Sequence, residues 1–189
     1  KTAEGVEQKI YLTYDNQKIP LLSYLLKGRK EYDSIIIFTS TKSKVSEIVR
    51  SLTRSGFKSY GISSNLKQEE REEVLRGFRS KRIRILVATD VMSRGIDVKD
   101  INMVVNYDVP NDAEDYVHRV GRTARANTKG EACTLVNQKD MFKVNKIEKL
   151  IKMNITKNQP PKDIGEGPKW VKKLINPRRK KTNFYRKGK

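Results

Sequence analysis

The stretch YVHRVGRTARANTKG at residues 116–130 concentrates side chains able to handle phosphate. His118, the chain's only histidine, leads into Arg119, Arg122 and Arg125 at intervals of three, with Gly121 between. A guanidinium stays protonated at any working pH and offers a planar fork of donors matched to phosphate oxygens. Presented to a transferring phosphoryl group, it stabilises the spreading charge. The chain shows no cradle of its own for that phosphate. No G-x-x-x-x-G-K-[ST] loop occurs, and GEG at 165–167 follows no strand and opens no helix. ILVATD at 85–90 has the form of an apolar strand ending in a metal-holding acid, but Val91 rather than a second acid follows Asp90. The arginines are therefore expected to act on a nucleotide gripped by another domain. His118 and Arg119 also have a purely structural reading, as a buried histidine and an internal salt bridge.

Five apolar runs read as the strands that must position these groups: SIIIFTS (34–40), FKSYGIS (57–63), IRILVATD (83–90), MVVNYDV (103–109) and GEACTLV (130–136). Between them, Val45, Ile48, Val49 and Leu52 mark one face of a helix that Gly56 is placed to stop. A second helix over Gln68–Arg79 buries Val74, Leu75 and Phe78. A third starts after Pro110, with Asn111 as its cap and Glu114 three residues on. YLTY (11–14) is expected to add an edge strand, and residues 17–27 a helix. Ile- and Val-rich strands alternating with amphipathic helices imply an α/β fold, a mostly parallel sheet covered on both sides. Such sheets bind ligands beyond the carboxyl ends of their strands. FTSTK, ATD with VMSRGID, and YDVP all fall there, although ordinary loops are also polar.

Composition points to the partner. Forty-one Lys+Arg stand against 22 Asp+Glu over 189 residues, a net charge of +19, which suits a polyanion and nucleic acid first. Residues 157–189 hold 12 of those cations and 2 of the acids. Rich in Pro, Gly and charge, they are expected to form a flexible basic tail behind a single domain over 1–156. Trp170, Phe184 and Tyr185 within it could stack on bases, giving salt-sensitive RNA binding. The alternatives are a solubilising end or a nuclear-localisation signal. The lone Cys133 has no partner for a disulfide and no ligand cluster, so it reads as a core residue in a reducing compartment. No apolar run approaches the roughly 20 residues of a membrane span. A soluble, cytoplasmic monomer is expected, and a start at Lys1 suggests a piece of a longer chain.

With these elements in place, a family resemblance becomes specific. ATDVMSRGIDV (88–98), VVNYDVP (104–110) and HRVGRTAR (118–125) resemble motifs V, Va and VI of the DEAD-box ATP-dependent RNA helicases. IIIFTST (35–41) resembles motif IV, and Gln68 with Arg71 the Gln-x-x-Arg element after it. Order and spacing agree over residues 8–152. The resemblance implies the second RecA-like domain of a helicase core, a P-loop-NTPase-type three-layer fold inactive as an ATPase without its first domain. That first, N-terminal RecA-like domain would be the partner in cis. It would share ATP with this chain and hold the Mg2+, leaving no metal ligand here.

Carried over by position, Arg122 and Arg125 reach the γ-phosphate as catalytic residues, and Asp97 contacts the ribose with Gly95 beside it. His118 and Arg119 link the nucleotide site to RNA across the domain interface. Gln68, Arg71, Thr89, Arg94 and Thr39 lie along the RNA strand. Gln68 and Arg71 also stand at i and i+3 near a helix N-terminus, a setting that favours phosphate, although Arg71 could instead pair with a neighbouring glutamate. Such contacts go to phosphate and sugar, so no sequence preference is expected. Ala124 and Ser64 stand where the family has glycine, and Met92–Ser93 replaces two small residues. An RNA-binding adaptor and a DNA helicase half are the competing functions.

Overall fold

The computed structural model describes residues 5–93, 99–123 and 129–172. In chain order the elements are β1 (Val6–Leu12), a short 3-10 turn (Asp15–Gln17), α1 (Lys18–Lys27), β2 (Ile35–Phe38), α2 (Lys42–Arg54), β3 (Tyr60–Ile62) and α3 (Gln68–Arg79). There follow β4 (Ile85–Ala88), α4 (Asp90–Ser93), β5 (Met103–Asn106), α5 (Ala113–Val120), β6 (Gly130–Val136), α6 (Met141–Ile151) and β7 (Thr156–Asn158). The strands form one sheet in the order β3-β4-β2-β5-β6-β1-β7, and every pairing in it is parallel.

The central strands are short and wholly buried because helices cover both faces of the sheet. Ile35 and Ile37 of β2 join Ile85, Val87, Met103 and Val105 beneath α1 and α2. Their alternates Ile36 and Phe38 join Leu86, Ala88 and Val104 beneath α3. On that same second face, α5 and α6 cover β6 and β1 through Tyr116, Val120, Val144 and Ile147. Cys133 is fully buried; burial first, and Glu131 nearby, push its thiol pKa well up, so it is an inert core residue. Gly56 follows α2 at φ +85°, the left-handed stop expected of it. The cap of α5 is Asp112, whose Oδ1 accepts the Glu114 N–H at 3.0 Å, rather than Asn111 one residue earlier.

Two expectations change at the sheet's far side. YLTY is not an edge strand: β1 starts at Val6 and lies between β6 and β7. Beyond it, Lys9, Ile10 and Tyr11 pair with Thr156, Lys157 and Asn158. The domain boundary expected after residue 156 therefore falls inside a strand. Residues up to 172 continue to pack: Gln17 Nε2 donates to the carbonyls of Gly165 and Glu166 at 3.2 and 3.1 Å, and Trp170 lies against the α5–α6 cluster. Gly167 sits so close to the Leu12 carbonyl that a Cβ there would collide with it. Thr-Lys-Asn carries no apolar alternation, so only the free edge of β1 makes it a strand. Residues 173–189 lie outside the described residues.

Candidate functional site

Because all strands run the same way, their carboxyl ends open on one edge, and the polar clusters meet there. Ser40 follows β2, Asp90 follows β4, Asp108 follows β5 and Asp140 precedes α6; with Lys44, Arg119 and Lys143 they border a pocket of about 230 Å³. Arg119 reaches this edge from α5 and is 3% exposed. Its Nε donates to Asp90 Oδ1 at 2.6 Å, its Nη2 pairs with the other Asp90 oxygen, and its Nη1 donates to Asn106 Oδ1 at 3.1 Å and the Asp108 carbonyl at 3.0 Å. The guanidinium also lies 5.0 Å from the centre of the Phe38 ring. Asn106 Nδ2 in turn donates to Thr134 Oγ1 at 3.1 Å. One side chain thus braces the ends of β2, β4 and β5, and Asn106 carries the link on to β6, which is the structural reading of Arg119.

Asp108 is a second brace. Its carboxylate accepts Thr39 Oγ1 at 2.6 Å, the Ser40 N–H at 2.9 Å and Lys44 Nζ at 3.1 Å, with Lys18 Nζ at 3.4 Å. Burial by itself would raise its pKa; Lys18, the Thr39 hydroxyl, the Ser40 amide and Lys44 outweigh that and hold it well below the usual carboxylate range. Lys18, itself buried, donates to the Tyr107 carbonyl at 2.8 Å. The three acids at this edge are committed to cations, Asp90 to Arg119, Asp108 to Lys44 and Lys18, and Asp140 to Lys143. Among the described residues no three His, Cys, Asp or Glu side chains gather to hold a metal.

Around these braces the predicted residues fall into two groups. On one side Gln68 opens α3, exposed, its Nε2 on Glu72 Oε1 at 3.2 Å. Among the described residues Arg71 makes no pair with a glutamate; its Nη2 donates to the Met92 carbonyl at 3.0 Å and ties α3 to α4. Thr89 is half-buried directly before Asp90. Thr39 is fully buried, with its hydroxyl committed to Asp108. On the other side the end of α5 is sewn to the strand entering the sheet: Thr123 Oγ1 donates to the carbonyls of Ile101 and Asn102, and the Ile101 N–H donates to the Arg122 carbonyl at 3.4 Å. Arg122 is partly exposed at that junction. Gly130 allows it, since a Cβ there would strike Thr123. His118, one helical position from Arg119, turns outward and is exposed rather than buried. Arg94, Gly95, Asp97 and Arg125 lie outside the described residues.

The helix α4 joins the two groups, held at Asp90 by Arg119 of α5 and at the Met92 carbonyl by Arg71 of α3. Lys18, Lys44, Asn106 and Asp108 were not anticipated in any role. Asp108 stood in the quoted YDVP, a polar residue at a strand's carboxyl end, which is the signal that could have found it. Lys18 carries none, being one of two lysines at the ends of a mainly apolar helix.

Fold and edge together define a RecA-like α/β domain. The chain belongs to the helicase conserved C-terminal domain family, whose model matches residues 17–127, and within it to the DEAD-box proteins. It is 42% identical over 157 residues to the Probable ATP-dependent RNA helicase of Methanocaldococcus jannaschii, a match covering 83% of this chain and 42% of that protein. The E. coli DEAD-box protein SrmB, solved bound to the regulator of ribonuclease activity A, is similar at TM-score 0.79 and 30% identity over 88% of this chain and 97% of the solved one. S. cerevisiae Dbp5 bound to RNA and ADP BeF3 gives TM-score 0.76 and 30% identity over 84% and 42%. The chain spans less than half the length of the curated relatives it matches.

Proposed function

We propose that this chain is the second RecA-like half of an ATP-dependent RNA helicase that couples ATP hydrolysis to unwinding or remodelling of RNA duplexes. The first RecA-like domain would hold ATP and its Mg2+, and this chain would complete the site as the two close. The reading rests above all on the placement of Arg122: it is partly exposed, at a helix end sewn to Ile101 and Asn102, in a domain of this family with no phosphate loop. Arg122 and Arg125 are proposed to meet the γ-phosphate, with Asp97 and Gly95 at the nucleotide's sugar. Gln68, Arg71, Thr89 and Arg94 are proposed to meet the RNA backbone without sequence preference, Thr39 supporting them through Asp108.

In this arrangement α4 carries the coupling. A shift of α5 on closure is passed through Arg119 to Asp90, and from Met92 to Arg71 on the RNA side; His118, exposed beside them, would face the first domain. The whole would work as a cytoplasmic monomer, its basic tail adding affinity for RNA. The binding of RNA and ADP BeF3 by Dbp5 at 30% identity favours RNA over DNA.

The test joins this chain to a DEAD-box first domain and measures ATP hydrolysis with RNA, with DNA and with neither. RNA-stimulated turnover is expected in the fusion and none in the chain alone. Arg122→Ala or Arg125→Ala should each cut the turnover by about 10³-fold or more. An RNA-binding adaptor would give no turnover in the fusion, and a DNA helicase half would respond to DNA.

A further inference from the structure

A large hollow lies away from the motif edge, along α6, and no motif accounts for it. It measures about 940 Å³, at the upper end of the range for ligand sites. Five lysines line it, Lys146, Lys149, Lys152, Lys157 and Lys172, against the single acid Glu148. That acid is already taken: its Oε2 accepts Lys157 Nζ and the Ile155 N–H, both at 2.7 Å. Lys146, Lys149, Lys152 and Lys172 are exposed and have no ion pair among the described residues. Like charges collected along one wall repel one another, and an anion in the hollow would relieve that repulsion.

The floor is as informative as the rim. Phe142 and Trp170 face the hollow with Met153 and Ile155, so the surface is apolar between its charges. Two of the ammonium groups rest on aromatic rings, Lys157 Nζ 4.7 Å from the Trp170 centre and Lys146 Nζ 5.6 Å from that of Phe142. These contacts hold the charges in place without neutralising them. From Phe142 to Ile151 the helix runs about 14 Å, long enough for more than one phosphate. Beyond Lys172 the sequence continues with residues 173–189, which hold eight Lys or Arg and no Asp or Glu.

We infer that this hollow is a second RNA site, a track for a single strand outside the helicase edge that leads toward the basic tail. An acidic peptide could match the lysines locally. A nucleic-acid strand also suits the cationic sequence that follows Lys172, since its charge repeats at every nucleotide, while its sugars and bases suit an apolar floor. The inference rests on the helicase reading above for the identity of the polyanion as RNA.

Trp170 is the chain's only tryptophan, so its fluorescence reports on the hollow directly. Titrating the full chain with a short oligouridylate should change that fluorescence in a saturable, salt-sensitive way. The triple variant Lys146→Gln, Lys149→Gln, Lys152→Gln, all at exposed positions, should keep the circular dichroism of the parent. It should bind about 10-fold or more weakly at low salt, with a salt slope reduced by about 2, roughly 0.7 for each lost phosphate contact. In the fusion it should raise the RNA concentration needed for half-maximal ATP hydrolysis and leave the maximum unchanged. If oligouridylate binds and the fusion responds to RNA, but Trp170 is silent and the triple variant binds like the parent, the track is refuted and the helicase reading stands. If neither binding nor RNA stimulation occurs, both fall. A polyglutamate of matched charge that alters Trp170 as strongly as oligouridylate would assign the hollow to an acidic protein segment instead.

Discussion

Arg119→Ala tests whether the brace at the strand ends holds the domain together. The wild-type guanidinium is 3% exposed and meets both oxygens of Asp90, Asn106 Oδ1, the Asp108 carbonyl and the Phe38 ring. Removing one partner of a buried ion pair costs about 3–5 kcal/mol. Asn106 and Asp108 would each lose a donor, a further penalty of about 1–3 kcal/mol if they stayed dry. The neighbouring pocket of about 230 Å³ lets water reach them, and Asp90 is 25% exposed, so most of that second penalty is recovered. The expected loss is therefore about 3–5 kcal/mol in all.

Urea unfolding followed by circular dichroism reads it directly. At a slope of about 2 kcal/mol per molar urea, the midpoint should fall by roughly 1.5–2.5 M. Arg122→Ala, at a partly exposed position, should shift stability by less than about 1 kcal/mol while removing the proposed catalytic contact. In the double variant Asp90→Ala, Arg119→Met the combined loss should fall short of the sum of the single losses, since the two side chains bond each other directly. A loss below about 1 kcal/mol for Arg119→Ala would refute the brace and return Arg119 to a role made only when the two domains close.

Two further predictions concern Asp108. Its carboxyl and that of Glu131 are both held below their ordinary pKa: burial opposes this in each, and Lys18, Thr39, Ser40 and Lys44 prevail at Asp108, Arg29, Tyr32 and Lys9 at Glu131. Depressed carboxyls stabilise the fold above the unfolded pKa of about 4, and that stability is lost as pH falls further. Unfolding free energy should drop below about pH 4 by up to about 1.4 kcal/mol per pH unit for each carboxylate, and Asp108→Asn should flatten the slope by one proton's worth. An unchanged acid limb in Asp108→Asn would disprove the assignment. Thr39→Val removes a hydroxyl donating to a buried carboxylate and should cost about 1.5–3 kcal/mol in the same unfolding assay; a variant as stable as the parent but weaker on RNA would make Thr39 a direct contact instead.

Much of the layout was legible from residue patterns. The apolar runs at 34–40, 83–90 and 103–109 had to be strands buried on both sides, because nothing in them alternates. Val45, Ile48 and Leu52, and likewise Leu75 and Phe78, could only be the inner faces of helices, and they are buried. A parallel sheet then puts FTST, ATD and YDVP on one edge without further information, since every strand ends there.

What only the tertiary structure decided is which of these polar groups touch one another. His118 and Arg119 are adjacent in the chain, yet about 100° of helical rotation leaves the first exposed and carries the second inside to Asp90, 29 residues away. Arg71 passes over the glutamates of its own helix to bind the Met92 carbonyl, a partner set by how α3 packs on α4. Lys18 pairs with Asp108 across 90 residues, and a polar tripeptide at 156–158 becomes a strand because β1 offers an open edge. Local pattern carries burial and period, which depend on near neighbours. Ion pairing depends on distance in space, and that exists only once the chain has closed on itself.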